Sequence, residues 1–369
     1  MGGRQGSCVT RSQEVAQQPG AARPTAEEDC GVAGRPTMKD VAAEAGVSAM
    51  TVSRVVNGEG SVAPRTAARV EAAVRKLGYQ RDELARQLRR ADQPSRTIGL
   101  LVDNVADPFM AAVASAAEDV ARRRGSVVLI GSSRADPRRE REVVAAFTAR
   151  RVDGLILTPA AGSHRFLRPA QAQGTKIVCV DRAAPGLEAD TVVVDNRAAV
   201  EEAVRHLIAH GHRRIGYLGG RQDIWTNGER HRGYRAALRA AGIAAGPGLV
   251  RHGLRSAPSA AEAVTSLLAS AEPPTALLAD NENLALGALT VLPPQIAFVA
   301  FDDFPLAERL TPPVTVIAQD PVALATTAAH VLFARIHGDT SPPRTVVMPT
   351  ELIRRGSGEV PGPFLRQGL

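Results

Sequence analysis

Residues 39–58, KDVAAEAGVSAMTVSRVVNG, place Ala49, Met50, Thr51, Ser53, Arg54 and Asn57 on the outward face of one short helix. Those side-chain types suit the outside of a nucleic-acid duplex. A guanidinium such as Arg54 can donate two hydrogen bonds to guanine O6 and N7 in a major groove, and apolar groups such as Ala49 and Met50 can meet thymine methyls. Thr51, Ser53 and Asn57 are suited to phosphate oxygens.

A second set of polar residues recurs further on, each pair placed just after an apolar run. The pairs are Asp103-Asn104, Thr158-Pro159, Asp181-Arg182, Asp195-Asn196, Gly219-Gly220, Asp280-Asn281 and Asp302-Asp303. Carboxylates, amides and guanidinium groups make the directed hydrogen bonds that fix a polyhydroxy ligand. Polar residues end many strands for solvation alone, but seven such ends in one chain favour a cleft for a polar ligand.

The elements that must hold the first set are short. Residues 39–45 form one helix with Val41, Ala42 and Ala45 inward. Gly46 permits the left-handed backbone of a helix end, and Ser48 is a natural cap for the next helix, 49–56. Two helices with glycine in the turn make a helix-turn-helix pattern. Neither would be stable alone, so a third helix, opened by Pro64, must complete the core. Ala63 stands at the cap position of that helix without a capping oxygen, an expected loss of around 1 kcal/mol.

The second set needs a sheet. Strands are expected at 98–103, 127–132, 154–158, 176–181, 192–194, 214–219, 276–279, 296–301 and 314–317, with helices at 109–124, 138–150, 197–210 and 229–241 among those between them. Apolar strands alternating with helices predict parallel sheets covered on both faces. The length suggests two α/β lobes, with ligands beyond the carboxyl ends of the strands.

Composition agrees with this division. The chain has 369 residues, enough for two or three domains, and is 44% apolar but only 3% aromatic, so Ala, Val, Leu and Ile must build the core. Its net charge of +7 is concentrated: residues 37–96 carry eleven basic and seven acidic side chains. A localised basic excess points to a polyanionic partner. Cys8, Cys30 and Cys179 show neither metal spacing nor a disulfide framework, which suits a reducing cytosol. No apolar run reaches the length of a membrane span, and the polar residues 1–36 are expected to be a disordered leader, or the product of a start codon chosen too far upstream, rather than a secretory signal. Gly216, Gly219 and Gly220 do not make a dinucleotide fingerprint, and no phosphate loop is present. His210 and His212 lack further ligands at metal spacing and are expected to cap a loop. No nucleophile–base order is evident, so no enzyme, metal or cofactor is expected.

The sequence resembles the LacI/GalR family of bacterial transcription regulators. The resemblance is carried by MKDVAAEAGVSAMTVSRVVNG, VAPRTAARVEAAVRKLGY and LARQL, then by DPFMAAVASAAEDVARRRG, RREREVVAAFTARRVDGLIL, HLIAHGHRRIGYLGG, ERHRGYRAAL, FDD and LTPPVTVIAQD, in the family's order from residue 37 to residue 356. It implies an all-α helix-turn-helix headpiece at 37–80 joined to a two-lobed α/β sensor at 97–356, similar to periplasmic sugar-binding proteins. The first lobe would cover 97–193 and 319–342, and the second 194–318 and 343–356, leaving 357–369 as a tail. A hinge helix at 82–90, within a linker at 81–96, would fold on operator DNA and wedge Leu88 into the minor groove, as apolar wedges kink DNA elsewhere.

Effector contacts implied by the resemblance are Asp103, Phe109 stacking on the ligand, Asp181, Trp225 and Thr226 in a loop before Arg230, Arg230 itself, Asn281 and Asp302. The function implied is a cytoplasmic, homodimeric repressor of a palindromic operator, controlled by a small polar, sugar-like effector. The alternatives are a solute-binding protein without a DNA role and an α/β enzyme acting on a nucleotide. Three features depart from the family pattern. Arg81-Asp82 stands where Pro-Asn is usual, the segment GALTVLPPQIAFVAFDD is shorter than usual, and Glu282 replaces a common Asp.

Overall fold

A computed structural model describes residues 36–58, 60–79 and 94–365. The expected leader and the expected hinge helix with Leu88 lie outside these. The chain divides into two compact units, one ending at Ala91 and the other starting at Asp92.

The first unit contains three helices, α1 (Met38–Ala45), α2 (Ala49–Asn57) and α3 (Pro64–Leu77). Thr37 opens α1 in a capping box: its backbone N–H donates to the Asp40 carboxylate at 2.7 Å, and the Asp40 N–H returns to Thr37 Oγ1 at 3.4 Å. Gly46 ends the helix at φ 61, and Arg69 of α3 donates to the Ala45 carbonyl at 2.5 Å. Ser48 then caps α2 by accepting from the Thr51 N–H at 3.1 Å. Val41, Val52 and Val70, one from each helix, are fully buried and hold the three together. As expected, α3 starts with Pro64 and has no side-chain cap.

The second unit contains two six-stranded sheets. In the first, the order is β11-β5-β4-β3-β1-β2, from β1 (Thr97–Val102), β2 (Val127–Ser132), β3 (Gly154–Leu157), β4 (Lys176–Val180), β5 (Asp190–Val194) and β11 (Thr345–Met348), all parallel. In the second, the order is β12-β10-β9-β8-β6-β7, from β6 (Ile215–Leu218), β7 (Val250–Arg251), β8 (Ala276–Ala279), β9 (Ala297–Phe301), β10 (Thr315–Gln319) and β12 (Thr350–Ile353). Only β12 runs antiparallel. The two sheets therefore repeat one topology.

Alternate residues of the inner strands bury on opposite faces, as a doubly covered sheet requires. In β1, Ile98, Leu100 and Val102 pack in the cluster that includes α4 (Pro108–Arg123) and α11 (Pro321–Ile336). Leu101 packs with Val144 and Phe147 of α5 (Pro137–Ala149). The second sheet is covered by α7 (Asn196–Ala209) and α8 (Trp225–Ala240) on one face, and by α9 (Ala257–Leu268) and α10 (Glu282–Leu289) on the other. Helices α7 and α8 meet closely at Gly233, where an added Cβ would lie 2.3 Å from the Arg197 carbonyl oxygen. Gly233→Ala is therefore expected to destabilise this unit by about 1–3 kcal/mol, read as a lower urea midpoint with unchanged slope.

The expected boundaries need two corrections. Residues 343–356 do not all join the second lobe: β11 extends the first sheet, and after Pro349 the chain enters the second sheet as β12. Nor is 357–365 a free tail. Ser357 Oγ accepts from the Thr315 N–H at 2.8 Å and donates to the Phe298 carbonyl at 2.6 Å, and the Gly362 N–H reaches His210 O at 2.8 Å. His212, an expected loop cap, is buried and bonded to the Val360 carbonyl through Nε2 at 2.8 Å. That bond makes Nε2 the protonated nitrogen and lets Nδ1 accept from Thr275 Oγ1 at 3.0 Å.

Candidate functional site

On α2, Val52 faces the core while Ala49, Met50 and Arg54 are exposed, Met50 by 66%. Among the described residues nothing holds the Arg54 guanidinium. Thr51, Ser53 and Asn57 are half-buried and locally engaged: Thr51 Oγ1 lies 2.9 Å from Ser48 Oγ, and Asn57 Nδ2 donates to Ser53 Oγ at 3.1 Å. The helix thus presents two apolar groups and one free guanidinium in front of a row of hydroxyls.

The sensor's cavity, about 300 Å³, opens where the carboxyl ends of both sheets face each other. Seven of the eight expected contact residues line it: Asp103, Phe109, Asp181, Thr226, Arg230, Asn281 and Asp302. Trp225 is not among the lining residues. The expected loop at 225–226 is also corrected, because both residues belong to the first turn of α8, which starts four residues before the predicted helix. Around that turn Ile224 and Thr226 line the cavity and Trp225 does not.

The matching topologies put Asp181 and Asp302 at equivalent places, just after β4 and β9. Both adopt left-handed backbone conformations, φ 68 and 72, unusual outside glycine and often retained at functional sites. Each N–H bonds to the neighbouring strand at 2.9 Å, Asp181 to Val192 O and Asp302 to Ile317 O. Their side chains are partnered differently. Arg182 donates to Asp181 Oδ2 at 3.0 Å and to Asp103 Oδ2 at 2.8 Å, binding two carboxylates to one cation. Asp302 instead accepts from neutral Gln319 Nε2 at 2.6 Å.

Arg230 is buried at the back of the cavity. Its Nε donates to Asn196 Oδ1 at 2.7 Å, its Nη1 donates to the Asp280 carbonyl, and its guanidinium carbon lies 3.5 Å from the Phe301 ring centroid. Asp280 sits behind the surface, accepting from the Gly220 N–H at 3.0 Å and from Asn281 Nδ2 at 2.8 Å. Asn281 is also the cap of α10, through the Leu284 N–H at 3.0 Å, so its amide serves the wall as well as lining the cavity. Across the mouth, Arg221 of the second lobe donates to the Ala135 carbonyl of the first at 3.2 Å.

Among the lining residues not expected as ligand contacts, Arg182, Gln319 and Asp107 carry charge or a polar amide next to the expected ones. All three have a local signal. Gln319 is the last residue of β10, Arg182 lies two residues past the end of β4, and Asp107 caps α4 by accepting from the Phe109 N–H at 2.9 Å.

Negative charge accumulates on the Asp302 side. Burial, only partly offset by Arg230, raises Asp302 to about 6. Burial and then the carboxylates of Asp107, Asp302 and Asp303 raise Glu282 to about 7. A carboxyl whose folded value exceeds its unfolded value is ionised at a cost in the folded state, and the cost declines as pH falls from the folded value to the unfolded one. Glu282→Gln is therefore expected to raise sensor stability at pH 8 by about 1 kcal/mol, discounted for its partial exposure. The gain should shrink as pH falls below about 7 and vanish only below the unfolded carboxyl's own value of 4.5; paired thermal melts at pH 8 and about pH 4 measure it.

Sequence comparisons support both units. A profile described as bacterial regulatory proteins, lacI family, matches residues 37–82, and one for a periplasmic binding protein-like domain matches residues 204–358. The HTH-type transcriptional regulator GalR of Escherichia coli K12 is 34% identical over 332 residues, covering 88% of this chain and 96% of that protein. Among solved structures, a complex of the transcriptional regulator CelR with cellobiose is 31% identical, with TM-score 0.65 over 88% of this chain and 100% of that one. The lac repressor dimer bound to operator and the anti-inducer ONPF is 27% identical, with TM-score 0.75 over 88% and 99%. Among the described residues no helix is long and apolar enough to cross a membrane. With a helix-turn-helix unit, a doubly repeated α/β sensor and a relative this similar over nearly its whole length, the chain belongs to the LacI family of bacterial transcriptional regulators.

Proposed function

We propose that this ligand-responsive, DNA-binding repressor acts in the cytoplasm as a homodimer, without catalysis, and that a small sugar-like effector controls it from the cleft. The observation that carries the effector reading is the convergence of Asp103, Asp181, Arg230 and Asp302 from both lobes on one cavity. Its volume lies at the low end of the range for small-molecule sites. Fixed hydrogen-bonding groups with Phe109 on one wall suit a polyol. The relative CelR was solved with cellobiose, which supports a carbohydrate.

Two copies of α2 would read two half-sites, since a two-fold dimer matches a near-palindrome. The chain passes between lobes at residues 194–196, 319–321 and 348–350. A ligand held by both lobes favours the conformation in which they are closed, and it changes operator affinity only as far as the two conformations differ in affinity for each.

The test is a gel shift of the full-length protein on DNA from its own promoter, followed by titration with sugars. Retardation that survives moderate salt and excess random DNA is expected, with release or strengthening by a sugar. No specific retardation would refute the operator reading, and retardation insensitive to every sugar would refute the effector reading.

A further inference from the structure

We propose that the cleft accepts an uncharged polyhydroxy ligand and discriminates against forms of it that carry a phosphate or a carboxylate. This rests on the cavity being the effector site.

The first support is the state of the inner cations. Arg182 has all three nitrogens directed at protein: Nε at Asp181, Nη2 at Asp103 and Nη1 at the Pro159 carbonyl, 3.4 Å away. Arg230 uses Nε and Nη1 on Asn196 and Asp280 and lies over Phe301. Arg182 therefore presents no open two-nitrogen fork to an anionic group, and Arg230 keeps only Nη2 without a protein partner among the described residues. Facing these two cations are the carboxylates of Asp103, Asp107, Asp181 and Asp302, with Asp280 buried behind. The inner chamber is therefore short of positive charge.

The second support is independent of charge counting. Gln319 Oε1 is buried and has no hydrogen-bond partner among the described residues, while its Nε2 holds Asp302 Oδ1. Asp302 Oδ2 likewise receives no hydrogen bond from the described residues. Gln319 Oε1 is thus a buried acceptor left unmet, which is costly, and Asp302 carries its charge with only a neutral amide bonded to it. A ligand hydroxyl can donate to the open Asp302 carboxylate oxygen. A phosphate or carboxylate supplies no such hydrogen and adds a like charge beside Asp302.

The mouth arginines do not reverse this. Arg221 is closed by Asp223 at Nε, 2.9 Å, and by Ala135 O. Arg134 and Arg255 are exposed to solvent, where their attraction for an anion is screened.

Calorimetric titration of the full-length protein can decide it. The panel is neutral pentoses, hexoses and disaccharides, each paired with its phosphate ester and its sugar acid. A neutral sugar is expected to bind at least about 100-fold tighter than its charged forms, since each factor of ten needs only a modest difference in electrostatic energy. Asp302→Asn should narrow that ratio to about tenfold, because the side chain keeps its shape and loses its charge. An Arg134→Ala/Arg255→Ala double variant should leave the ratio unchanged. A charged form that binds as tightly as its neutral parent would overturn the inference while leaving the effector reading intact, and loss of that binding in the double variant would place the anion at the mouth. If no compound of either kind binds, the effector reading fails and the inference with it.

Discussion

Arg230→Lys is expected to weaken effector binding by about 2–3 kcal/mol, roughly 30- to 150-fold, and to leave operator affinity in the absence of effector unchanged. The guanidinium fork makes three contacts at once, to Asn196, to the Asp280 carbonyl and to the Phe301 ring. A lysine ammonium is a point charge on a flexible stem and cannot reproduce that set. It does keep a positive charge near Asp280 and Asp302, whose carboxyls burial already raises to about 6. Arg230→Ala removes that charge as well and should destabilise the sensor by about 3–5 kcal/mol, so loss of response there would be confounded with loss of fold. Titration calorimetry on the lysine variant, with gel shifts in the presence and absence of effector, separates the two. A lysine variant with wild-type affinity would exclude Arg230 from the ligand site.

Much of this site could be read from the chain because of where its residues stand. Asp103, Asp181 and Asp302 each follow an apolar strand, and in a parallel sheet that position faces the cleft whatever the details of packing. The strands themselves are short continuous apolar runs buried on both faces, and their brevity and their alternation with helical patterns mark them as strands. Trp225 shows where such reading stops. The residue type suited a ligand wall, but orientation within a helical turn decides which neighbours enter the cavity, and Ile224 and Thr226 do so instead. The charge asymmetry between Asp181 and Asp302 was equally hidden. It depends on Gln319 meeting Asp302 across 17 residues and on Arg182 meeting Asp103 across 79.

The edge strands failed for a different reason. Residues 345–348 and 350–353 are four-residue segments, partly exposed and separated by a single proline, and no periodicity can be established over that length. Their sheet membership is set by long-range pairing with β5 and β10. The terminal strap at 357–365 is rich in Gly and Pro and lacks any repeat, and it is placed by Ser357 and by the backbone at His210 rather than by an apolar pattern. In the headpiece the reverse holds. Its cap residues Thr37, Ser48, Gly46 and Gly58 act within a few positions of themselves, so local sequence specifies nearly all of it.

That local specification makes Arg54 the cleanest residue for testing DNA recognition. Its side chain is exposed, and the core of the unit is built from Val41, Val52 and Val70 with their neighbours, so Arg54→Ala should change folding stability by no more than about 0.5 kcal/mol. Operator binding should fall by about 1–3 kcal/mol if the guanidinium meets a base, with discrimination relaxed at one base pair of each half-site. A phosphate contact predicts something else: similar losses on operator and random DNA, and a salt dependence shallower by about one counterion. Exposed Met50 supplies the internal comparison. It carries no charge, so Met50→Ala should leave the salt slope unchanged and alter preference only where a thymine methyl is met. Affinities measured over a series of salt concentrations on operator and random duplexes distinguish the two contacts for Arg54. Equal losses on both duplexes would assign the guanidinium to the backbone, and sequence reading by α2 would then rest on Ala49, Met50 and the half-buried Ser53 and Asn57.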